Sequence, residues 1–318
     1  MTNEQPTAES KRDSEGGASP VEYQLLDFGD GKKYERLGDY RIVRPSPAAD
    51  ATRPSMSWDR VDASFARSSK RWNVRRPFPQ NSRVHTDEFS MPVSLRPSGH
   101  LGVFFEQSPN WDWLAKTATA IATKASAENE PRAINLFGYT GASSIAIARQ
   151  GIPVIHVDAS KPTVQEAKRA AAEAGVEDRI KFWVDDALKV LRREARRGRR
   201  YDLLVMDPPA YGHAPDGTAW RLERDLPPLL SAAKEVVNED FAMLVTGHSE
   251  GFGVAEAKAA VSQAWSSSAP NRLCFRGRRM HLESSVGRRL DCGFQLRVTT
   301  EKFERAVRRN DAREDPTT

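Results

Sequence analysis

Arg132-Ala-Ile-Asn-Leu-Phe-Gly-Tyr-Thr-Gly141 is a short apolar run that stops in a pair of glycines. Ala133 to Phe137 reads as a buried parallel strand, and Ala142 to Arg149 as a helix after the turn at Gly138 and Gly141. Strand, glycine turn and helix together form a nucleotide-cradling unit, because glycine lets backbone approach a ligand and a helix start offers unbonded N–H groups. About twenty residues on, Pro153 to Val157 reads as a second strand ending in Asp158, where an acid accepts hydrogen bonds from ribose hydroxyls. The plainer alternatives are tight-turn glycines and a helix cap at Asp158.

Outward from this unit the pattern repeats. Helices are expected over Asn110 to Ala127, Lys161 to Ala174, Ala187 to Arg197, Leu222 to Asn238 and Val254 to Ser266. They alternate with strands at Ile180 to Val184, Tyr201 to Met206 and Phe241 to Thr246, with late strands at Cys274 to Met280 and Gly293 to Val298. The expected fold is a doubly wound Rossmann-like α/β sheet with its site beyond the carboxyl ends of the strands. Upstream, Val21 to Phe28, Tyr40 to Val43, and a hairpin of Phe89 to Leu95 with Leu101 to Phe105 make a small β-rich module. The expected division is a disordered tail over 1–20, the β-rich module over 21–105, the large α/β domain over 106–304 and a charged tail over 305–318.

The chemistry concentrates at two strand ends. Met206-Asp-Pro-Pro-Ala-Tyr211 places two prolines after a strand. Prolines cannot donate, so the carbonyls of Asp207 and Pro208 are left to face the cleft, with Tyr211 nearby as a stacking surface. Val184-Asp-Asp-Ala187 supplies a carboxylate for an adenine amino group, the other acid serving as helix cap.

The glycine turn, Asp158, Asp185-Asp186-Ala187 and Asp207-Pro208-Pro209 come in the order and spacing of a class I S-adenosylmethionine-dependent methyltransferase, which the chain resembles. Asn135-Leu-Phe-Gly-Tyr-Thr-Gly141, His156-Val-Asp-Ala-Ser160 and Asp207-Pro-Pro-Ala-Tyr-Gly212, the last followed by Trp220 and Asp225, resemble more closely the bacterial family that includes the large-subunit ribosomal RNA methyltransferases. The resemblance implies S-adenosyl-L-methionine as cofactor, held by Phe137, Gly138, Thr140, Gly141, Asp158, Ala159, Asp185, Asp186, Ala187 and Asp207. It implies an acceptor faced by Asp207, Pro208 and Tyr211. Phe105 and Gln107 are candidates for the cofactor border, while His213 and His248 read as loop residues. The RNA-binding PUA pattern that larger family members carry at the N-terminus is not recognised here.

Composition narrows the field. A net charge of +5 permits a polyanionic partner without requiring one. The two cysteines, Cys274 and Cys292, suit neither a disulfide framework nor a metal site. There is no membrane-length apolar run and no signal-peptide h-region, so a cytoplasmic protein without membrane or metal is expected. Trp72 and Phe78 interleave with Arg67, Lys70, Arg71, Arg75 and Arg76, a pattern that suits single-stranded RNA. Arg276, Arg278, Arg279, Arg288 and Arg289 add a second basic region, while Lys189 to Arg200 reads as a solvated helix face. The expected activity is methylation of a ribosomal RNA base, at nitrogen because Leu244-Val-Thr-Gly-His-Ser249 lacks the cysteine that cytosine C5 chemistry needs. The alternatives are a methyltransferase for a small molecule or protein side chain, and a cofactor-binding RNA assembly factor. The oligomeric state is left open.

Overall fold

The computed structural model describes residues 21–305 except 87–88, 124, 126–129, 214–216, 250 and 267–271. The expected tails over 1–20 and beyond Arg305 lie outside the described residues. Five strands come first, in the order β1 (Tyr23–Gly29), β2 (Lys32–Leu37), β3 (Tyr40–Pro45), β4 (Ala63–Ala66) and β5 (Arg71–Val74). Asp30 and Gly31 close the first hairpin with φ of 50° and 69°, the left-handed pair that a two-residue turn requires. Strand β2 is not expected from the sequence, and its composition explains why. Lys-Lys-Tyr-Glu-Arg-Leu looks solvent-facing, yet Glu35 is fully buried. Two nitrogens of Arg44 donate to it at 2.5 and 2.9 Å, and the Tyr23 hydroxyl at 2.9 Å. Burial alone would raise the Glu35 carboxyl, but Arg44 and Lys33 hold it down at about 2.

The expected second hairpin forms with other partners. Strand β6 (Arg83–His85) pairs with β7 (Ser90–Pro92), and Leu101 returns only as far as one bond from Ser94 N–H to its carbonyl. The turn between them, Arg96 to His100, is closed by bonds of 2.9 and 3.1 Å.

The large sheet has seven strands: β8 (Ala133–Leu136), β9 (Val154–Asp158), β10 (Ile180–Val184), β11 (Tyr201–Met206), β14 (Val237–Gly247), β15 (Leu273–Glu283) and β16 (Arg289–Thr300). Their spatial order is β10-β9-β8-β11-β14-β16-β15. The first five are parallel; β16 runs antiparallel to both β14 and β15. A two-stranded flap, β12 (Tyr211–His213) with β13 (Ala219–Arg221), interrupts the alternation directly after the double proline. The sequence pattern does not announce it.

Alternate side chains of β8 serve the two faces. Ala133 joins the core with α1 (Ser108–Ala122), α2 (Ala142–Ala148) and α3 (Lys161–Glu173), whereas Ile134 and Leu136 join α4 (Ala187–Arg196), α5 (Leu222–Lys234) and α6 (Val254–Ala264). On α5, Leu222, Leu226, Leu229 and Leu230 are all fully buried, each worth about 1.5–3 kcal/mol. The N-terminal sheet shares the first core through Tyr40, Ile42 and Ala63. A third cluster, Leu25, Phe28 and Ala49 against Met280, Leu290 and Cys292, seams it to the β15–β16 hairpin. Across that seam Arg288 donates to buried Asp27 at 2.9 Å and stands 4.2 Å over the Phe28 ring.

Candidate active site

A cavity of about 460 Å³ lies along the carboxyl ends of the parallel strands. Its wall follows the sheet order. Asp185 and Asp186 follow β10; Asp158 ends β9, with Ala159 next to it; Phe137 and Tyr139 follow β8. Asp207, Pro208 and Pro209 follow β11 at the centre. Gly247 and His248 follow on β14 and beyond it, then Met280 and Cys292 on the outer hairpin, with Glu106 and Gln107 entering from the turn before α1. Strand order reverses beside β8, so the cavity straddles the switch point at which such sheets bind ligands.

The half over β8, β9 and β10 is built from restrained turns. Phe137 and Tyr139 have φ of 56° and 50°, a left-handed geometry that costs non-glycine residues roughly 1–2 kcal/mol each. Asp158 holds that turn: its Oδ2 accepts from Tyr139 N–H and its Oδ1 from Ser160 N–H, both at 2.9 Å. Burial raises the Asp158 carboxyl, and those two backbone donors oppose the shift. Each oxygen keeps a lone pair for a further donor. Asp186 caps α4 through Lys189 N–H at 2.8 Å, while Asp185 accepts from Asp186 N–H and pairs with Arg193 at 2.6 Å. This set of acceptors suits the diol and amino groups of an adenosine, and the cavity volume is that of a small-molecule site. The residues present therefore fit S-adenosylmethionine.

The half over β11, β14 and the outer hairpin is organised around Asp207. Thr246 Oγ1 donates to its Oδ1 at 2.6 Å and Gln107 Nε2 to its Oδ2 at 3.2 Å. The Gln107 amide is oriented by Asn110, which donates to its oxygen at 2.7 Å. Withdrawal from water raises the Asp207 carboxyl to about 6 against those two hydrogen bonds, and the nearby Glu106 charge adds to the shift. Cys292 is buried at the cavity wall with its thiol pushed up to about 12, first by burial and then by Glu106.

Of the residues singled out in the sequence, Phe137, Asp158, Ala159, Asp185, Asp186, Ala187, Asp207 and Pro208 line this cavity. Gly138 and Thr140 border a smaller adjoining void of about 40 Å³ instead. A Cβ on Gly138 would stand 2.4 Å from the His156 ring, and one on Gly141, at φ +94°, 3.2 Å from Ala167. Packing under the turn thus requires glycine at Gly138, and the left-handed backbone favours it at Gly141. The Thr140 hydroxyl donates to Gly102 O at 2.5 Å. His156, fully buried, lies beside the Ser144 hydroxyl at 3.0 Å, and burial lowers it to about 4, so it is neutral.

Tyr211 is placed differently from the expectation: it is 69% exposed on the flap and is not part of the cavity wall. Trp220, across the same flap, does line the cavity; its indole N–H donates to Pro209 O at 2.8 Å and its ring is 5.1 Å from Phe137. Phe105 turns away to stack on Tyr23, whereas Gln107 faces Asp207. Sequence reading misses Glu106, Met280 and the cavity position of Cys292, and it has Trp220 only as part of the motif after Gly212, with no place in the cavity.

The basic stretches separate on pairing. Arg67, Lys70, Arg71 and Arg75 are exposed on the β4–β5 hairpin and its flank. Arg76 is committed to Asp39 at 2.8 Å and to Asp62. Trp72 and Phe78 are not open stacking faces: Trp72 donates to Arg96 O at 2.6 Å, and Phe78 packs edge-on against Tyr40. In the second region Arg276 pairs with Glu304, Arg279 with Asp291 and Arg288 with Asp27.

The strand order, with one antiparallel strand inserted next to last, and the acids at successive strand ends are those of a class I S-adenosylmethionine-dependent methyltransferase. Residues 112–218 match the family described as conserved hypothetical protein 95. The chain is 36% identical over 80 residues to ribosomal RNA large subunit methyltransferase I of Pseudoalteromonas translucida, covering 24% of this chain and 20% of that one. It is 30% identical over 101 residues to the protein of the same name from Salmonella arizonae, covering 31% and 25%. The chain thus spans about a quarter or less of the length of these two relatives. A solved S-adenosylmethionine-dependent methyltransferase from Agrobacterium tumefaciens superposes with a TM-score of 0.76 at 29% identity, covering 89% of this chain and 91% of that one.

Proposed function

We propose that the protein methylates a nucleobase of ribosomal RNA with S-adenosylmethionine. The observation that carries this reading is the place of Asp207-Pro208-Pro209 at the centre of the cavity, between a ribose- and adenine-suited half and a half with its own hydrogen-bond acceptors. The names of the relatives, ribosomal RNA large subunit methyltransferases, support the substrate class. When bound, the cofactor supplies an electrophilic methyl group on a sulfonium sulfur. Asp158 holds its ribose, Asp186 its amino group, and the Phe137–Gly141 turn its amino-acid part. Asp207, oriented by Thr246 and Gln107, accepts an N–H of the incoming base and takes the proton that a methylated nitrogen sheds. Pro208 and Pro209 hold the chain rigid next to that nitrogen.

RNA is held by the β4–β5 hairpin through Arg67, Lys70, Arg71 and Arg75 in this reading. That hairpin connects directly to the cavity rim: Phe65 packs on Gly99 and Trp72 bonds Arg96, at either end of the turn leading to cavity-lining His100. The base must leave its stack to enter the cavity. The test is mass spectrometry of ribosomal RNA nucleosides from a strain lacking the gene, followed by restoration of the missing methyl mark in vitro with purified protein. An unchanged nucleoside profile, with no transfer to unmodified ribosomal RNA, would overturn the reading.

A further inference from the structure

We infer that Glu106 is the residue with which the site selects its acceptor: it accepts the N–H edge of an amino-bearing base (adenine, cytosine or guanine) and disfavours uracil. This rests on the nucleobase reading above and specifies the base.

Glu106 lines the cavity, half-buried, and among the described residues has no hydrogen-bond or ion-pair partner. Its neighbours are both pinned. Phe105 stacks on Tyr23 with ring centroids 3.5 Å apart, and Gln107 is fixed between Asn110 and Asp207. The carboxylate is therefore presented from a rigid turn rather than from a mobile loop. Asp207 already receives one donor on each oxygen, from Thr246 and Gln107, and serves the reacting nitrogen in the reading above, so Glu106 is the acid left to read the rest of the base edge.

The surroundings define what Glu106 can accept. Among the described residues that line the cavity there is no lysine or arginine, whereas Glu106 stands close enough to Asp207 for its charge to raise the Asp207 carboxyl. A partly dehydrated carboxylate without a donor is costly, and a ligand that brings N–H groups relieves that cost. An anionic acceptor meets repulsion from both acids, which is discrimination by an unfavourable contact. An exocyclic amine offers Glu106 a donor, and guanine, with adjacent N1–H and N2–H, offers two to one carboxylate. Uracil presents a single N–H between two carbonyl oxygens, which would face the carboxylate with like partial charge.

The experiment measures methyl transfer from labelled S-adenosylmethionine to unmodified in-vitro-transcribed ribosomal RNA by wild type, Glu106→Gln and Glu106→Ala, with identification of the product nucleoside. The wild-type product should carry an amino group. Glu106→Ala should lose tenfold or more in kcat/KM, chiefly through KM, and Glu106→Gln, whose amide oxygen still accepts one N–H, should lose less. S-adenosylmethionine affinity by calorimetry should stay within about twofold. A methylated uridine, or equal kcat/KM in all three proteins, overturns the inference while leaving the RNA reading in place. A wild type that binds S-adenosylmethionine and labels no RNA overturns both.

Discussion

The two halves of the cavity use their acids in opposite ways. Over β8, β9 and β10, Asp158, Asp185 and Asp186 are tied mainly to backbone N–H groups of their own turns, with Arg193 as a side-chain partner of Asp185. Over β11 and β14, Asp207 is held by side chains from distant segments, Gln107 and Thr246, and Glu106 stands beside it without a donor among the described residues. Acids tied to local backbone shape a turn that any adenosine-bearing ligand can use. An acid held by long-range side-chain contacts is tuned by tertiary structure, and its carboxyl is raised to about 6. The difference teaches where specificity can change: the first half is a property of the strand ends, the second of how the outer elements pack.

Experiments at four places break or sharpen that contrast. The largest effect is expected from Asp207→Ala, with a loss of roughly 10²–10³-fold in kcat, the range for removing one oriented group at a reacting centre. S-adenosylmethionine binding should change little, and an equal fall in cofactor affinity would erase the functional boundary between the halves. Asp207 also carries a pH signature. Its folded carboxyl, at about 6, lies above the ordinary value of 3.8, so the folded protein keeps a proton that the unfolded chain has released. Stability from this group therefore falls as pH rises through that window, and the cost is complete above it. Asp207→Asn should raise Tm relative to wild type at pH 8 and give no gain at pH 4, read by calorimetric melting.

Asp158→Ala comes next. It removes the acceptor for Tyr139 and Ser160 N–H as well as for the ribose, and a charged hydrogen bond is worth about 1.5–3 kcal/mol. Calorimetry should show S-adenosylmethionine binding weaker by about tenfold or more. Unchanged affinity in a folded variant would remove Asp158 from the cofactor half.

A smaller effect is expected outside the cavity. Reversing Arg67, Arg71 and Arg75 to glutamate should weaken RNA binding across sequences and flatten its salt dependence. The log–log slope should fall by about 0.7 for each phosphate no longer neutralised. Arg76→Ala, by contrast, breaks pairs with Asp39 and Asp62 and should lower Tm with the slope unchanged. The reverse assignment would show that pairing does not separate binding arginines from structural ones.

The smallest effect is expected at the cysteines. Cys292 reaches the cavity wall, but its thiol is held at about 12, so almost none is thiolate at neutral pH. No covalent adduct should form between wild-type protein and RNA containing 5-fluorocytidine, in mass spectra of the protein. An adduct on Cys292 or Cys274 would replace nitrogen methylation by carbon chemistry.

Much of the cofactor half is legible in the sequence, because its groups act within a few residues of a strand end. Apolar Ala133 to Leu136 and Val154 to Val157 announce buried strands, and the acids that follow must then emerge at one edge of the sheet. Strand β2 is not legible, since its buried Glu35 is made tolerable by Arg44 on the neighbouring strand.

By itself the sequence determined the parallel order of elements, the glycine turn and the acids that close it, all through local periodicity and short-range hydrogen bonding. The choice of Trp220 over Tyr211 for the cavity wall was decided by tertiary structure, because a flap of two three-residue strands turns one aromatic inward and leaves the other in water. The same holds for Glu106 and Cys292, which lie 101 and 85 residues in sequence from Asp207: Cys292 reaches the site because β15 and β16 pack against the N-terminal sheet, and Glu106 because its neighbours Phe105 and Gln107 are pinned to Tyr23 and Asp207. Side chains that meet across such separations leave no periodic trace. Their meeting depends on which apolar faces are buried together, and that is settled by the packed core as a whole.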